Sequence, residues 1–143
     1  MLWRLGAVRF MEDKQVIKVV AAVLERNGKI LVCRRRNQDG SPGKWEFPGG
    51  KQEPGETEEE CLVRELREEL CLAVRPGEEI GRVRHDYKEF SVEVVFRHAE
   101  VENGNMKLMV HAEAAWAERK NLPDYDFLEA DIEFVKRLAE GAL

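Results

Sequence analysis

The spacing of apolar and polar positions changes along the chain, and each change predicts an element. Residues 16–25, VIKVVAAVLE, are rich in β-branched side chains and predict a strand. Asn27-Gly28 follows, a two-residue hairpin signal, and KILVCRRR (29–36) predicts the antiparallel partner. NQDGSPGK (37–44) predicts a loop, and WEFPGGKQEPGE continues the turn chemistry through Pro48, Gly49, Gly50, Pro54 and Gly55. The period then becomes helical. Leu62, Val63, Leu66 and Leu70 form one stripe, and Thr57 with Glu60 makes a capping box. Strands are predicted over 79–87, 91–101 and 106–117, with Asn103-Gly104-Asn105 turning between the last two. Leu128, Ile132, Val135 and Leu138 mark an amphipathic C-terminal helix after Pro123. The order ββ-α-βββ-α predicts an α/β (α+β) architecture, a mixed β-sheet with helices packed on it.

At 143 residues the chain is expected to form one domain. Met11 opens a more natural start than MLWRLGAVRF, so residues 1–10 read as an N-terminal extension and 11–143 as the domain. The net charge of −5 argues against a nucleic acid polymer as partner, which needs a basic footprint. A single nucleotide is not excluded, because a metal ion and a few arginines can meet its charge. Cys33, Cys61 and Cys71 show no C-x-x-C spacing, and reduced thiols in a cytoplasmic protein are the expectation. No apolar run reaches the ~18 residues of a membrane span.

The stretch RELREEL (64–70) is the chemical puzzle. Like charges at i,i+3 and i,i+4 repel by roughly 0.2–0.5 kcal/mol per pair. On a helix Glu65, Glu68 and Glu69 fall in one arc beside the leucine stripe. Either this is a solvated acidic face, or a cation sits against it. Mg²⁺ takes oxygen ligands and bridges carboxylates to phosphates, so three clustered glutamates suit it.

Read from Gly50, the residues run G-x5-E-x7-R-E-L-x-E-E: Gly50, Glu56, Arg64, Glu65, Leu66, Glu68 and Glu69. This resembles the Nudix box, and KWEFPGGK before it resembles the MutT-type nucleoside triphosphate pyrophosphohydrolases. The resemblance implies a Nudix α/β/α sandwich with the box as loop–helix–loop. It implies hydrolysis of (deoxy)nucleoside triphosphates to the monophosphate and pyrophosphate with Mg²⁺, or Mn²⁺ in its place. An 8-oxo-dGTP or a CTP/dCTP type of substrate in nucleotide-pool sanitation is the expected class. The alternatives are a Nudix hydrolase of ADP-ribose or a similar diphosphate, and a non-catalytic nucleotide-binding module. Assembly as a monomer or a homodimer is left open.

Roles follow by resemblance. Glu68 and Glu69 are metal ligands, Glu65 a ligand or the general base, and the Gly49 carbonyl another ligand. Arg64 orients the box carboxylates through Glu68, and Glu56 supports them. Two positions depart from the family. Cys71 replaces a glycine where a left-handed helix cap is expected. Val110 stands where a further metal-binding glutamate lies six residues before Trp116, leaving Glu113 or His111 as substitutes. The alternative for Glu113 is a strand-end surface charge, and for the histidines a structural or exposed place. Arg35, with Arg34 beside it, is expected to contact phosphate, against a solvated basic run. Phe47 either lines the base pocket or sits in the core. Asp131 either reads the base, as an ionised acceptor facing donor-rich edges, or caps the last helix, a task Asp126 could perform instead.

Overall fold

β1 (Gln15–Arg26) is the strand on which the sheet is laid. The computed structural model describes residues 15–37 and 42–143, so the expected extension 1–10 and residues 38–41 of the expected loop lie outside it. One edge of β1 pairs in parallel with β6 (Phe90–Asn103), from Gln15↔Phe90 to Leu24↔Ala99. The other edge pairs antiparallel with β4 (Gly49–Lys51) and, at its end, with β2 (Lys29–Arg36) through the Asn27-Gly28 turn. β5 (Ala73–Asp86) flanks β6, while β3 (Pro42–Glu46) and β7 (Glu113–Glu118) pair with β2.

Alternation along β1 divides the core between two faces. Val20, Ala22 and Leu24 pack with Leu31 and Cys33 of β2 against Cys61, Leu62, Leu66 and Leu70 of α1 (Glu58–Leu70). Ala21 and Val23 pack with Ile30, Val32 and Phe96 against Phe134, Val135 and Leu138 of α2 (Glu129–Ala139). The expected α/β/α sandwich with a mixed sheet is thus observed.

The box helix is built as expected at both ends. Thr57 Oγ1 accepts from the Glu60 N–H and Glu60 Oε1 accepts from the Thr57 N–H, both at 3.0 Å. Arg97 and Arg82 take Glu58 at 2.9 and 3.1 Å, tying the first turn to β6 and β5. At the far end Cys71 adopts the left-handed conformation, with φ 58°. Its N–H donates to the Arg67 carbonyl at 3.1 Å and the Leu72 N–H to the Leu66 carbonyl at 3.3 Å. The bond from Cys71 to Arg67 is that of a left-handed αL cap, made here without glycine.

Several elements differ from the sequence expectation. The turn-rich stretch after Asn37 contains two short strands, β3 and β4. Glycine makes β4 feasible: a Cβ on Gly49 would lie 2.0 Å from the Val20 carbonyl oxygen, and its φ is +154°. β5 begins at Ala73 and carries Pro76 and irregular pairing, tolerated because it lies at the sheet edge. The strand expected over 106–117 forms only from Glu113. Upstream, the Lys107 and Met109 N–H groups instead donate to the Leu70 and Glu69 carbonyls, both at 3.0 Å. The open carbonyls at the end of α1 draw that backbone away from the sheet. In α2 the inward positions are Ala130, Asp131, Phe134, Val135 and Leu138, whereas Ile132 is exposed. The helix starts after Leu128 with no side-chain cap, so neither Asp131 nor Asp126 performs that task. Asp126 pairs with Lys44 instead.

The left-handed Cys71 gives a stability prediction. Cys71→Gly should raise unfolding free energy by about 1 kcal/mol in urea titration, and Cys71→Val should lower it. Equal midpoints for all three proteins would show that the cap carries no strain.

Candidate active site

The box is organised around one guanidinium. Arg64 forks onto Glu56, Nε to Oε2 at 2.7 Å and Nη2 to Oε1 at 3.0 Å. Nη2 also donates to the Lys51 carbonyl at 3.0 Å, fixing the loop before α1. Nη1 reaches Glu65 Oε1 at 2.8 Å and Glu68 Oε2 at 3.3 Å. The expected i,i+4 contact to Glu68 is therefore present, but Glu56 and Glu65 are the closer partners. Arg64 holds the Glu56 carboxyl down at about 2, aided by the Glu53 N–H. Glu56 is thus placed behind Arg64, as a brace for the box.

Glu65 and Glu69, one turn apart, face the loop. The Glu65 carboxyl lies against Gly50, where an added Cβ would come within 2.4 Å of it. Burial first, then the neighbouring Glu65 and Glu46, push Glu69 up to about 8, and a Gly49 backbone hydrogen bond opposes the rise. Glu69 Oε2 is buried with no hydrogen-bond partner. Glu68 is mostly exposed. Among the described residues no three His, Cys, Asp or Glu side chains close into a complete metal cage. The donor set nonetheless fits a hard dication: an orphaned carboxylate oxygen, a second carboxylate beside it, and mutual repulsion that a cation would relieve. Glu65, Glu68 and Glu69 would hold it.

A cleft of about 330 Å³ leads from this corner across the sheet to α2. Gly49, Gly50 and Lys51 line the box end, and Arg35, Glu46, Phe47 and Asp131 the inner wall. Tyr87 and Phe90, ring centroids 5.0 Å apart, stand at the other side. The Leu128 N–H donates to the Trp45 carbonyl and the Trp45 N–H to the Asp126 carbonyl, at 3.0 and 2.9 Å. These bonds clamp the start of α2 to β3 and set Asp131 over the cleft.

The remaining expected residues divide. Arg35 lines the cleft and donates to Glu46 at 2.8 Å. Phe47 answers both of its readings: it packs against Phe96, Phe127 and Phe134 and also borders the cleft. Asp131 is 5% exposed and its burial, with Glu46 nearby, raises its carboxyl to about 7. Burial thus favours the neutral acid, which offers a donor where the ionised form expected from the sequence only accepts. Arg34 and Glu113 face each other across the β2–β7 ladder and pair at 3.0 Å. Val110 is exposed. Glu46, Tyr87 and Phe90 escaped the sequence reading; an acid at a strand end next to an apolar Phe was the only sign of Glu46.

The NUDIX domain pattern matches residues 14–138, and the chain belongs to the Nudix hydrolase family. It is 36% identical over 118 residues to the CTP pyrophosphohydrolase of Escherichia coli K12, covering 82% of this chain and 87% of that one. To the 8-oxo-dGTP diphosphatase of Proteus vulgaris it is 33% identical over 87 residues, 60% of this chain and 78% of the relative. Among solved structures, the E. coli ORF135 protein superposes with a TM-score of 0.79 at 35% identity, covering 91% of both chains. The MutT protein of Methanosarcina mazei Go1 gives 0.78 at 27%, over 91% of this chain and 97% of that one. Nudix hydrolases generally use divalent metal ions.

Glu69 makes cation binding pH-dependent. Its folded value of about 8 lies above the usual 4.5, so the neutral form favours the fold. That contribution is full below about 4.5 and is lost as pH rises through about 8. A dication uses the charged form, so Mg²⁺ should raise the melting temperature more at about pH 8.5 than at about pH 6. Glu69→Gln should remove most of the difference; equal Mg²⁺ shifts in the native protein would contradict the assignment.

Proposed function

We propose that this Nudix hydrolase cleaves (deoxy)nucleoside triphosphates to the monophosphate and pyrophosphate with Mg²⁺, Mn²⁺ being the alternative ion. The observation that carries this reading is one cleft running from the Gly49–Gly50 loop, against which the Glu65 carboxyl packs, to Asp131. Phosphates at one end and a base at the other fill such a site. Water forms a bond to one of the phosphorus atoms flanking the α–β bridging oxygen, and the bond from that phosphorus to the bridging oxygen breaks. The bridging oxygen leaves with the other phosphate product, and the water's proton passes to Glu65. Bound dications supply charge neutralisation and acidify the attacking water. Arg64 keeps Glu65 aimed, Glu68 and Glu69 would hold the ion, with the Gly49 carbonyl as a further ligand, and Arg35 would meet the phosphate chain.

At the base end, a partly protonated Asp131 gives a donor and an acceptor together. Cytosine offers an amino group beside an acceptor nitrogen, and an oxidised guanine also mixes donors and acceptors. The relatives named for CTP and 8-oxo-dGTP support these two classes, and the role we propose is nucleotide-pool sanitation in the cytoplasm. Tyr87 and Phe90 supply aromatic surface for the base.

Rates on CTP, dCTP, 8-oxo-dGTP, dGTP and ADP-ribose with Mg²⁺ test the reading. A triphosphate should dominate in kcat/KM, and Glu69→Gln should lower kcat by at least about a thousandfold. ADP-ribose dominating, or full activity in Glu69→Gln, would overturn it. Asp131→Asn keeps a donor and an acceptor, so it should stay within about tenfold of the native protein, whereas Asp131→Ala should lose more than about a hundredfold. The native KM should also climb above about pH 7 as Asp131 ionises, and that climb should vanish in Asp131→Asn.

A further inference from the structure

His111 lies in the irregular stretch between β6 and β7, where its neighbours Met109 and Val110 are 58% and 51% exposed. His111 itself is 2% exposed. Burying a polar ring costs free energy unless a partner offsets it. The partner is Glu46: His111 Nε2 lies 2.8 Å from Glu46 Oε2. Glu46 Oε1 accepts from Arg35 Nε, also at 2.8 Å, so each oxygen of that carboxyl is engaged by a different strand or loop.

The backbone holds the ring in place. Arg36 Nε donates to the His111 carbonyl at 3.1 Å, and the Ala112 N–H to the Arg34 carbonyl at 2.9 Å. His111 Nδ1 is buried without a partner. A proton on Nε2 therefore makes the donor that Glu46 needs and leaves only a lone pair at Nδ1. An orphaned lone pair is the milder of the two outcomes.

Glu46 is satisfied by His111 and Arg35, but its position carries an electrostatic cost. It sits on the cleft wall close enough to Asp131 to oppose that residue's ionisation. Such a local conflict is expected where function requires it. We propose that His111 is a positioning residue: with Arg35 it locks Glu46 in one orientation, so that the carboxylate presents its free lone pairs to donor groups of the bound nucleotide base. This inference rests on the nucleotide reading of the cleft given above.

The test compares His111→Leu, His111→Gln, Glu46→Gln and the double variant His111→Leu/Glu46→Gln. Each is assayed on the preferred triphosphate and on one with the same sugar and a different base. His111→Leu should raise KM for the preferred nucleotide about tenfold or more, leave kcat within about threefold, and cut base selectivity to that of Glu46→Gln. His111→Gln carries an N–H near the place of Nε2 and should recover selectivity. The double variant should be no worse than the poorer single. Unaltered selectivity in His111→Leu, with only a lower melting temperature, would overturn the proposal, as would independent, multiplying effects. A native protein inactive on every triphosphate would defeat the nucleotide reading instead. The ring would still be tested by its ¹⁵N resonances: a slowly exchanging Nε2 proton that vanishes in Glu46→Ala supports the clamp, and an unprotonated Nε2 overturns it.

Discussion

The Arg64–Glu56 fork is the interaction on which the site depends. A helix bearing Glu65, Glu68 and Glu69 resists its own formation electrostatically, and a loop holding two glycines has no stiffness of its own. One guanidinium addresses both difficulties. Its fork anchors Glu56, its Nη2 anchors the Lys51 carbonyl, and its Nη1 reaches toward two of the three acidic side chains. A lysine, a point charge without the planar fork, could not serve loop and helix in the same way. Much of Arg64 is shielded from solvent, which strengthens these contacts beyond those of an ordinary surface pair.

From that anchor the cleft sorts its carboxyls by environment. Glu56, gripped by Arg64, is held low, while Glu69 and Asp131, buried near other acids, are held high. The two raised groups sit at opposite ends and face opposite demands. At the box end a high value marks a site that a cation completes. At the α2 end it favours a neutral carboxyl, which can donate as well as accept. One physical term, the cost of burying charge, thus acts at both ends, on the box corner and on the wall at α2.

The parts of this design legible in the sequence were those with local causes. The capping box, the leucine stripe, the Asn27-Gly28 turn and the carboxylate arc all depend on spacing within one element, and each stands in the structure. The strands β3 and β4 were hidden because pairing overrides turn chemistry, and Gly49 reads as a breaker until Val20 is seen against it. Phe134 rather than Ile132 faces the core because α2 starts one residue after Leu128, and helix phase is set by the clamp to Trp45. Glu46 and His111 stand 65 residues apart, and no pattern within a strand announces their meeting.

The departure at Val110 gains its meaning from the same stretch of chain. An exposed valine there contributes nothing to the cleft, yet the backbone around it is closely used. Met109 closes a carbonyl of α1, His111 turns inward to Glu46, and Ala112 joins the end of β2. The segment therefore connects the end of α1 to the inner wall of the cleft through hydrogen bonds, independently of the side chain at position 110. Valine in place of the glutamate that the resemblance implies leaves this path of hydrogen bonds intact. Glu69 and Glu46 remain tied to this one segment, Glu69 through its backbone carbonyl and Glu46 through the His111 side chain.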